Sequence, residues 1–286
     1  MPSLIDIRRR IRSVRSTQQI TKAMKMVSAA KLRRAHDRVL AARPYAALIR
    51  DLLGSVAARV SSAEGPPHPL LERRRENRIL LLLLTGDKGL AGAFNTNLIK
   101  ASQAFLAEHS ALRVELELIG RKGRDYYRRR QVPISGEHIN VFAKVDYAIA
   151  KGIAQKAIGR FVASEVDAVC LIYNEFKTVL SQKLVVDRIL PLSAPPGGAS
   201  TVDYIYEEPV EQLLATLLPR YLEVQIYHAM LESAAAEHTA RMTAMDSATT
   251  NAGEMIDRLT LFMNRVRQAS ITREIIEVVS GAAAIG

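Results

Sequence analysis

Stepping along the chain by alternating threes and fours from Leu4 gives the positions 4, 7, 11, 14, 18, 21, 25, 28, 32, 35, 39, 42, 46, 49, 53, 56 and 60. Thirteen of these seventeen are apolar, and the four exceptions are consecutive: Gln18, Thr21, Lys25 and Ser28, inside "TQQITKAMKMVS". A sustained 3.5-residue repeat marks a helix lying along another helix. The frame resumes unshifted after the polar block, so the block belongs to the same helix and its apolar residues move to neighbouring positions: Ile20, Met24, Met26 and Val27. Ser3 and Asp6 have the spacing of a capping box. Pro44 predicts a kink, and "SSAEGPPHP" ends the element as a linker.

Between about 72 and 200 the period changes. "RILLLLLT" reads as a buried strand, "NTNLIKASQAFLAEH" as a helix capped by Asn95 or Thr96, "LRVELELIG" as a strand, "KGRDYYRRR" as a short helix and "YAIAKGIAQKAIGRFVASE" as a helix. "VDAVCLIYN" and "KTVLSQKLVVDRILP" read as strands, the last at a sheet edge. Such alternation predicts an α/β domain with a largely parallel, Rossmann-like sheet. "SAPPGGAS" is a second linker, and Pro209 suits the first turn of a third segment. There a second heptad frame runs from Val224 to Val266, breaks at "RQAS", and restarts at Ile271, Ile275, Val278, Ala282 and Ile285. The fold class is therefore α/β plus a long antiparallel coiled coil of the two terminal helices. The segments are 1–64, a coiled-coil helix; 72–200, the α/β domain; and 208–286, a coiled-coil helix.

Charge changes this picture. Residues 1–50 hold 13 Lys+Arg and 2 Asp+Glu, so the whole net charge of +11 lies on the first helix. Arg8, Arg15, Lys22, Arg43 and Arg50 fall on one flanking row of its seam, and Arg10, Lys31 and Arg38 on the other. The facing helix offers only Glu232 and Asp246 in reply. The surplus requires water or an acidic partner: a ring of acidic protein surface, or nucleic acid as the alternative, which would make the chain a basic coiled-coil nucleic-acid-binding arm. Residues 1–43 contain no aromatic residue to interleave with the cations, which argues against that alternative.

Catalytic chemistry finds no footing. One cysteine, Cys170 in a strand-like run, permits no internal disulfide and no multi-cysteine metal site. "GDKGLAG" follows a strand and precedes a helix, where a phosphate loop would stand. Its spacing is GxxGxxG, it lacks the P-loop ending, and the second strand ends in "GRKG" rather than an acid. A tight turn is the simpler reading. No two of the six histidines have metal-ligand spacing within one element. The longest aliphatic run, "ILLLLL", is too short to span a bilayer, and the N-terminus has no signal-peptide core, so a soluble protein is expected.

"ITKAMKMVSAAKLRRA" near one end and "NRVRQASITREIIEVVSGAAA" at the other closely resemble the two signature segments of the γ subunit of F-type ATP synthases, of bacterial type. "GLAGAFN" and "DYIYEE" are similar to that family as well, and the resemblance runs in order along essentially the whole chain. It implies a rotor shaft without cofactors or catalytic residues of its own. The coil turns inside a ring of α and β subunits, and its foot rests on the ε subunit and the c-subunit ring. The shaft couples proton-driven rotation to conformational cycling of the catalytic β sites. The location implied is the cytoplasmic face of the plasma membrane, peripheral, with no nucleic acid bound. Residue by residue, Met24 and Lys25 match positions that meet an acidic lever of β. Arg267 and Gln268 match residues that hydrogen-bond a loop of β, and Tyr204, Tyr206 and Glu207 match the foot that meets the c ring. The chloroplast-type redox insertion is absent, and Ala91 stands where many relatives carry Cys.

Overall fold

A computed structural model of the 286-residue chain describes residues 3–60, 68–178, 181–192 and 210–283. A long helix, α1 (Leu4–Val60), opens the chain and a longer one, α5 (Val210–Ala283), closes it. Between them stand β1 (Arg78–Leu84), α2 (Phe94–Glu108), β2 (Arg113–Ile119), α3 (Arg121–Tyr127), β3 (Ile134–His138), α4 (Tyr147–Val162), β4 (Ala168–Phe176) and β5 (Gln182–Leu190). α1 is unbroken through Pro44 and α5 through Pro219. The described residues form two compact units. One joins the N-terminal residues up to Ala29 to Arg241 and the residues after it; the other spans Ala30–Ala240.

In the first unit α1 and α5 run antiparallel. Thr21 and Gln18 reach Thr249, while Lys25, further along α1, reaches Asp246, earlier on α5. The N-terminus is capped as expected: the Ser3 hydroxyl accepts from Asp6 N–H at 3.3 Å and donates to its carboxylate at 3.0 Å. The heptad frame coincides with burial. Ile7 is buried and Leu4, Ile11 and Val14 are half-buried, while the residues between them face water. The frame keeps its place through the polar block, where Thr21 and Ser28 are buried and Gln18 and Lys25 half-buried. The same holds on α5 as far as Val266. Beyond Ser270 every residue from Ile271 to Ser280 is exposed.

In the second unit the sheet has the order β3-β2-β1-β4-β5, parallel except for β5, which pairs antiparallel with β4 at the edge. β1 is central and buried from Ile79 to Leu84, as a continuous apolar run covered on both faces must be. Gly120, at the end of β2, has φ 107°, and a Cβ there would lie 1.9 Å from the Thr85 carbonyl oxygen, so only glycine closes this turn.

Two local readings need correction. β3 was not anticipated: "ISGEH" is five residues long, has a central glycine and no alternation, and is held by its parallel partner β2 rather than by propensity. Neither Asn95 nor Thr96 caps α2. The helix starts at Phe94 after Ala93 with no side-chain cap, and the Asn95 side-chain Oδ1 instead accepts from Gly86 N–H at 2.8 Å, closing the preceding loop.

Polar contacts tie the layers of this unit together. Glu117, 1% exposed, takes Lys156 at 2.9 Å and His138 at 2.8 Å. Burial raises its carboxyl pKa, but the hydrogen bonds from His138 and Lys156 outweigh that and leave it below the usual value. Asp167 accepts from the N–H groups of Asn77 and Arg78 and from the Arg78 guanidinium; here too burial is outweighed and the pKa falls. The Tyr147 hydroxyl donates to Glu223 at 2.6 Å, joining α4 to α5; burial and that bond push its pKa up to about 12. Glu232, buried on α5, accepts from Phe176 N–H at the end of β4 and faces Arg43 of α1 at 3.5 Å.

Candidate interaction surface

The polar block builds a seam of a different kind from the apolar frame around it. The Thr21 and Thr249 hydroxyls are 2.8 Å apart, and each also has a carbonyl of its own helix in reach, Gln18 and Met245. The Gln18 amide donates to the Thr249 carbonyl at 3.5 Å. Lys25 Nζ meets Asp246 Oδ1 at 2.5 Å. Polar groups at a seam cost stability unless they find partners, and Gln18, Thr21 and Lys25 find theirs on α5.

The apolar residues displaced from the frame are turned outward. Ile20, Met26 and Val27 are each more than half exposed, and Met24 is half-buried. On α5 of the same unit Met255, Leu261 and Phe262 are exposed, followed by Ile271, Ile275, Ile276, Val278 and Val279. Contiguous exposed aliphatic side chains on a helix mark a surface that another protein covers. Around them Arg8, Arg9, Arg10, Arg12, Arg15 and Lys22 are exposed, and none of them takes part in an ion pair among the described residues.

The structure separates the residues singled out from the sequence. Met24 and Lys25 lie in the polar block, Lys25 already holding an internal partner. Arg267 and Gln268 are exposed on α5. Arg267 is 21 residues beyond Asp246, the partner of Lys25. At 1.5 Å per residue that is roughly 30 Å along the helix, so the two pairs lie too far apart to form one site. Tyr204, Tyr206 and Glu207 lie outside the described residues.

The glycine-rich loop after β1 is arranged against phosphate binding. A Cβ on Gly86 would come within 2.9 Å of the buried Glu237 carboxyl carbon. Asp87 accepts from the N–H groups of Arg121, Asn140 and Phe142. In the loop itself the Gly86 N–H is held by Asn95 Oδ1 and the space beside it is filled by Glu237, so a donor and room that a dinucleotide's phosphates would use after the first strand are already taken. The loop's outer side shows a feature that the sequence reading missed. Leu90 has φ 60° and is 63% exposed, a strained backbone presenting an apolar side chain to solvent. Glycine spacing alone carries no sign of it.

Residues 3–285 match the family model described as ATP synthase. The ATP synthase gamma chain of Solibacter usitatus is 66% identical over 285 residues, covering 99% of both chains. That of Anaeromyxobacter sp. strain Fw109-5 is 52% identical over 289 residues, covering 100% of both. Among solved structures, the rotor of the Euglena gracilis mitochondrial ATP synthase aligns with a TM-score of 0.66 at 19% identity, covering 94% of this chain and 98% of that one. The central stalk/c-ring structure of the Tetrahymena thermophila enzyme aligns at 0.61 and 24% identity, covering 80% and 99%. At those identities the structural match speaks for the fold. With a relative two-thirds identical from end to end and the two-helix, mixed-sheet architecture in place, the chain belongs to the ATP synthase gamma chain family.

Proposed function

We propose that the chain is the central rotor shaft of a bacterial F-type ATP synthase, transmitting proton-driven rotation of the c ring to the catalytic β subunits, and running in reverse during hydrolysis. The observation that carries this is 66% identity over 99% of both chains to a bacterial gamma chain, joined to an antiparallel pair of helices whose outer surface is cationic and apolar. It is a non-catalytic subunit of that complex. The nucleic-acid-binding alternative is set aside by the family.

Partners follow from the same reading: α and β around the coil, ε and the c ring at its foot. Met24 and Lys25 meet an acidic lever of β, supported by the exposed Ile20, Met26 and Val27 beside them. Arg267 and Gln268 hydrogen-bond a second β element, supported by their exposure. Tyr204, Tyr206 and Glu207 belong to the foot. The segments 1–64, 72–200 and 208–286 are its functional divisions. No helix among the described residues is long and apolar enough to cross a membrane. The chain is held at the cytoplasmic face of the plasma membrane through other subunits.

The test is purification of the tagged chain from its native membranes. Recovery of α, β, ε and c subunits in one particle with proton-coupled ATPase activity is the expected result. A tagged chain that comes out free of any catalytic ring defeats the reading.

A further inference from the structure

We propose that Asp246 is an internal competitor for Lys25, holding its ammonium between encounters with an acidic partner surface, so that Lys25 is captured and released rather than permanently engaged. The inference rests on the reading of the polar block as a face toward β and adds a regulatory residue to it.

In the first unit, α1 carries seven cations between Arg8 and Lys25. Six are exposed and in no ion pair among the described residues; Lys25 alone has an acid, Asp246 of α5. Lys25 stands at a frame position, yet its Nζ reaches the rim of the seam, where its side chain is 42% and that of Asp246 55% exposed. A pair so wet is held weakly, and another carboxylate can replace one of its members at little cost.

The surroundings suit exchange. Thr21 and Gln18 bind Thr249 one turn from the pair, so the two helix backbones stay joined whichever acid Lys25 takes. Lysine is a point charge on a flexible stem, without the fixed fork that commits arginine to one carboxylate geometry. Met24 and Met26 flank it with adaptable apolar side chains. The partner this fits is a protein surface with carboxylates set beside aliphatic residues.

The experiment uses the assembled complex and single-molecule rotation, with Lys25→Gln, Asp246→Asn and the double variant. Thermal unfolding checks that each chain folds, as substitutions at two half-exposed side chains should allow. Asp246→Asn is expected to lengthen about threefold, the scale of one exposed ion pair, the dwell at the rotor angle where Lys25 engages its partner. The effect should shrink as salt rises and vanish in the Lys25→Gln background. An Asp246→Asn effect of equal size in both backgrounds overturns the inference, since Asp246 would then act on the partner directly. So does an Asp246→Asn complex with wild-type dwells where Lys25→Gln changes them. If Lys25→Gln itself changes no dwell, the contact of Lys25 with the ring is lost, and the underlying reading fails with it.

Discussion

Thr21 and Thr249, 228 residues apart in sequence, share a hydrogen bond of 2.8 Å across the seam of an antiparallel helix pair. Replacing either by Val leaves the other hydroxyl facing a methyl group in a half-dry seam, with only its own helix's carbonyl to bond. Each single variant is expected to lose about 1 kcal/mol, and the double variant less than the sum. Denaturant unfolding of the four chains closes the cycle. Strict additivity would mean that the cross-strand bond contributes nothing.

Acid sensitivity should trace to Glu117 and Asp167. Both have folded pKa values below their unfolded ones. Their contribution is therefore complete above the unfolded carboxyl pKa and is lost as pH falls through the folded value. Stability against denaturant should decline below about pH 4.5, and Glu117→Gln should flatten that decline. At neutral pH the same change should cost about 1–2 kcal/mol, because it weakens the hydrogen bonds from Lys156 and His138 while the Lys156 ammonium, 41% exposed, still reaches water. An unchanged acid limb in Glu117→Gln would remove this residue from the account.

Gly120→Ala is expected to prevent stable folding of the α/β unit. The added carbon would lie 1.9 Å from the Thr85 carbonyl at a backbone φ of 107°, and neither β1 nor β2 can retreat within a paired sheet. Soluble expression with a wild-type melting curve would contradict it.

ATP should not bind the isolated chain at micromolar concentration by calorimetry, because Glu237 and Asp87 occupy the mouth of the parallel strands. Measurable affinity, lost in Gly86→Val, would show that the loop opens to take phosphate after all.

Truncation after Ser270 should leave the thermal transition of the α/β unit where it is, since residues 271–280 are all exposed in the chain alone. In the assembled complex the same truncation should weaken coupling, read as ATP-driven proton pumping set against hydrolysis in vesicles. A lowered transition in the isolated chain would mean that the tail packs on it.

Much of the architecture could be read from one dimension. The 3.5-residue repeat assigned which side of α1, and of α5 as far as Val266, is covered, down to Thr21 and Ser28, because a helix's facing side is set by spacing whatever chemistry stands there; where the frame restarts at Ile271 every residue to Ser280 is exposed. The run Ile79–Leu84 announced a central strand for a similar reason: a segment apolar at every position needs cover on both faces. β3 was invisible because its five residues owe their strand conformation to β2. Asn95 was misread because a side chain at a helix start can cap its own helix or close the loop before it, and the choice depends on where Gly86 lies.

The candidate surface divides in the same way. Sequence alone determined that the first helix carries the whole charge surplus and that four polar residues interrupt its stripe, since both are sums over fixed positions. Only the tertiary structure decided that those four remain in the seam, that of the α1 cations from Arg8 to Lys25 it is Lys25 that is held by an acid of the same chain, and that Leu90 is displayed on a strained loop. The physical reason is range. Periodicity and charge are local properties of the chain, whereas a hydrogen bond or an ion pair needs two groups within about 3 Å, and its members here come from helices joined only by the fold between them.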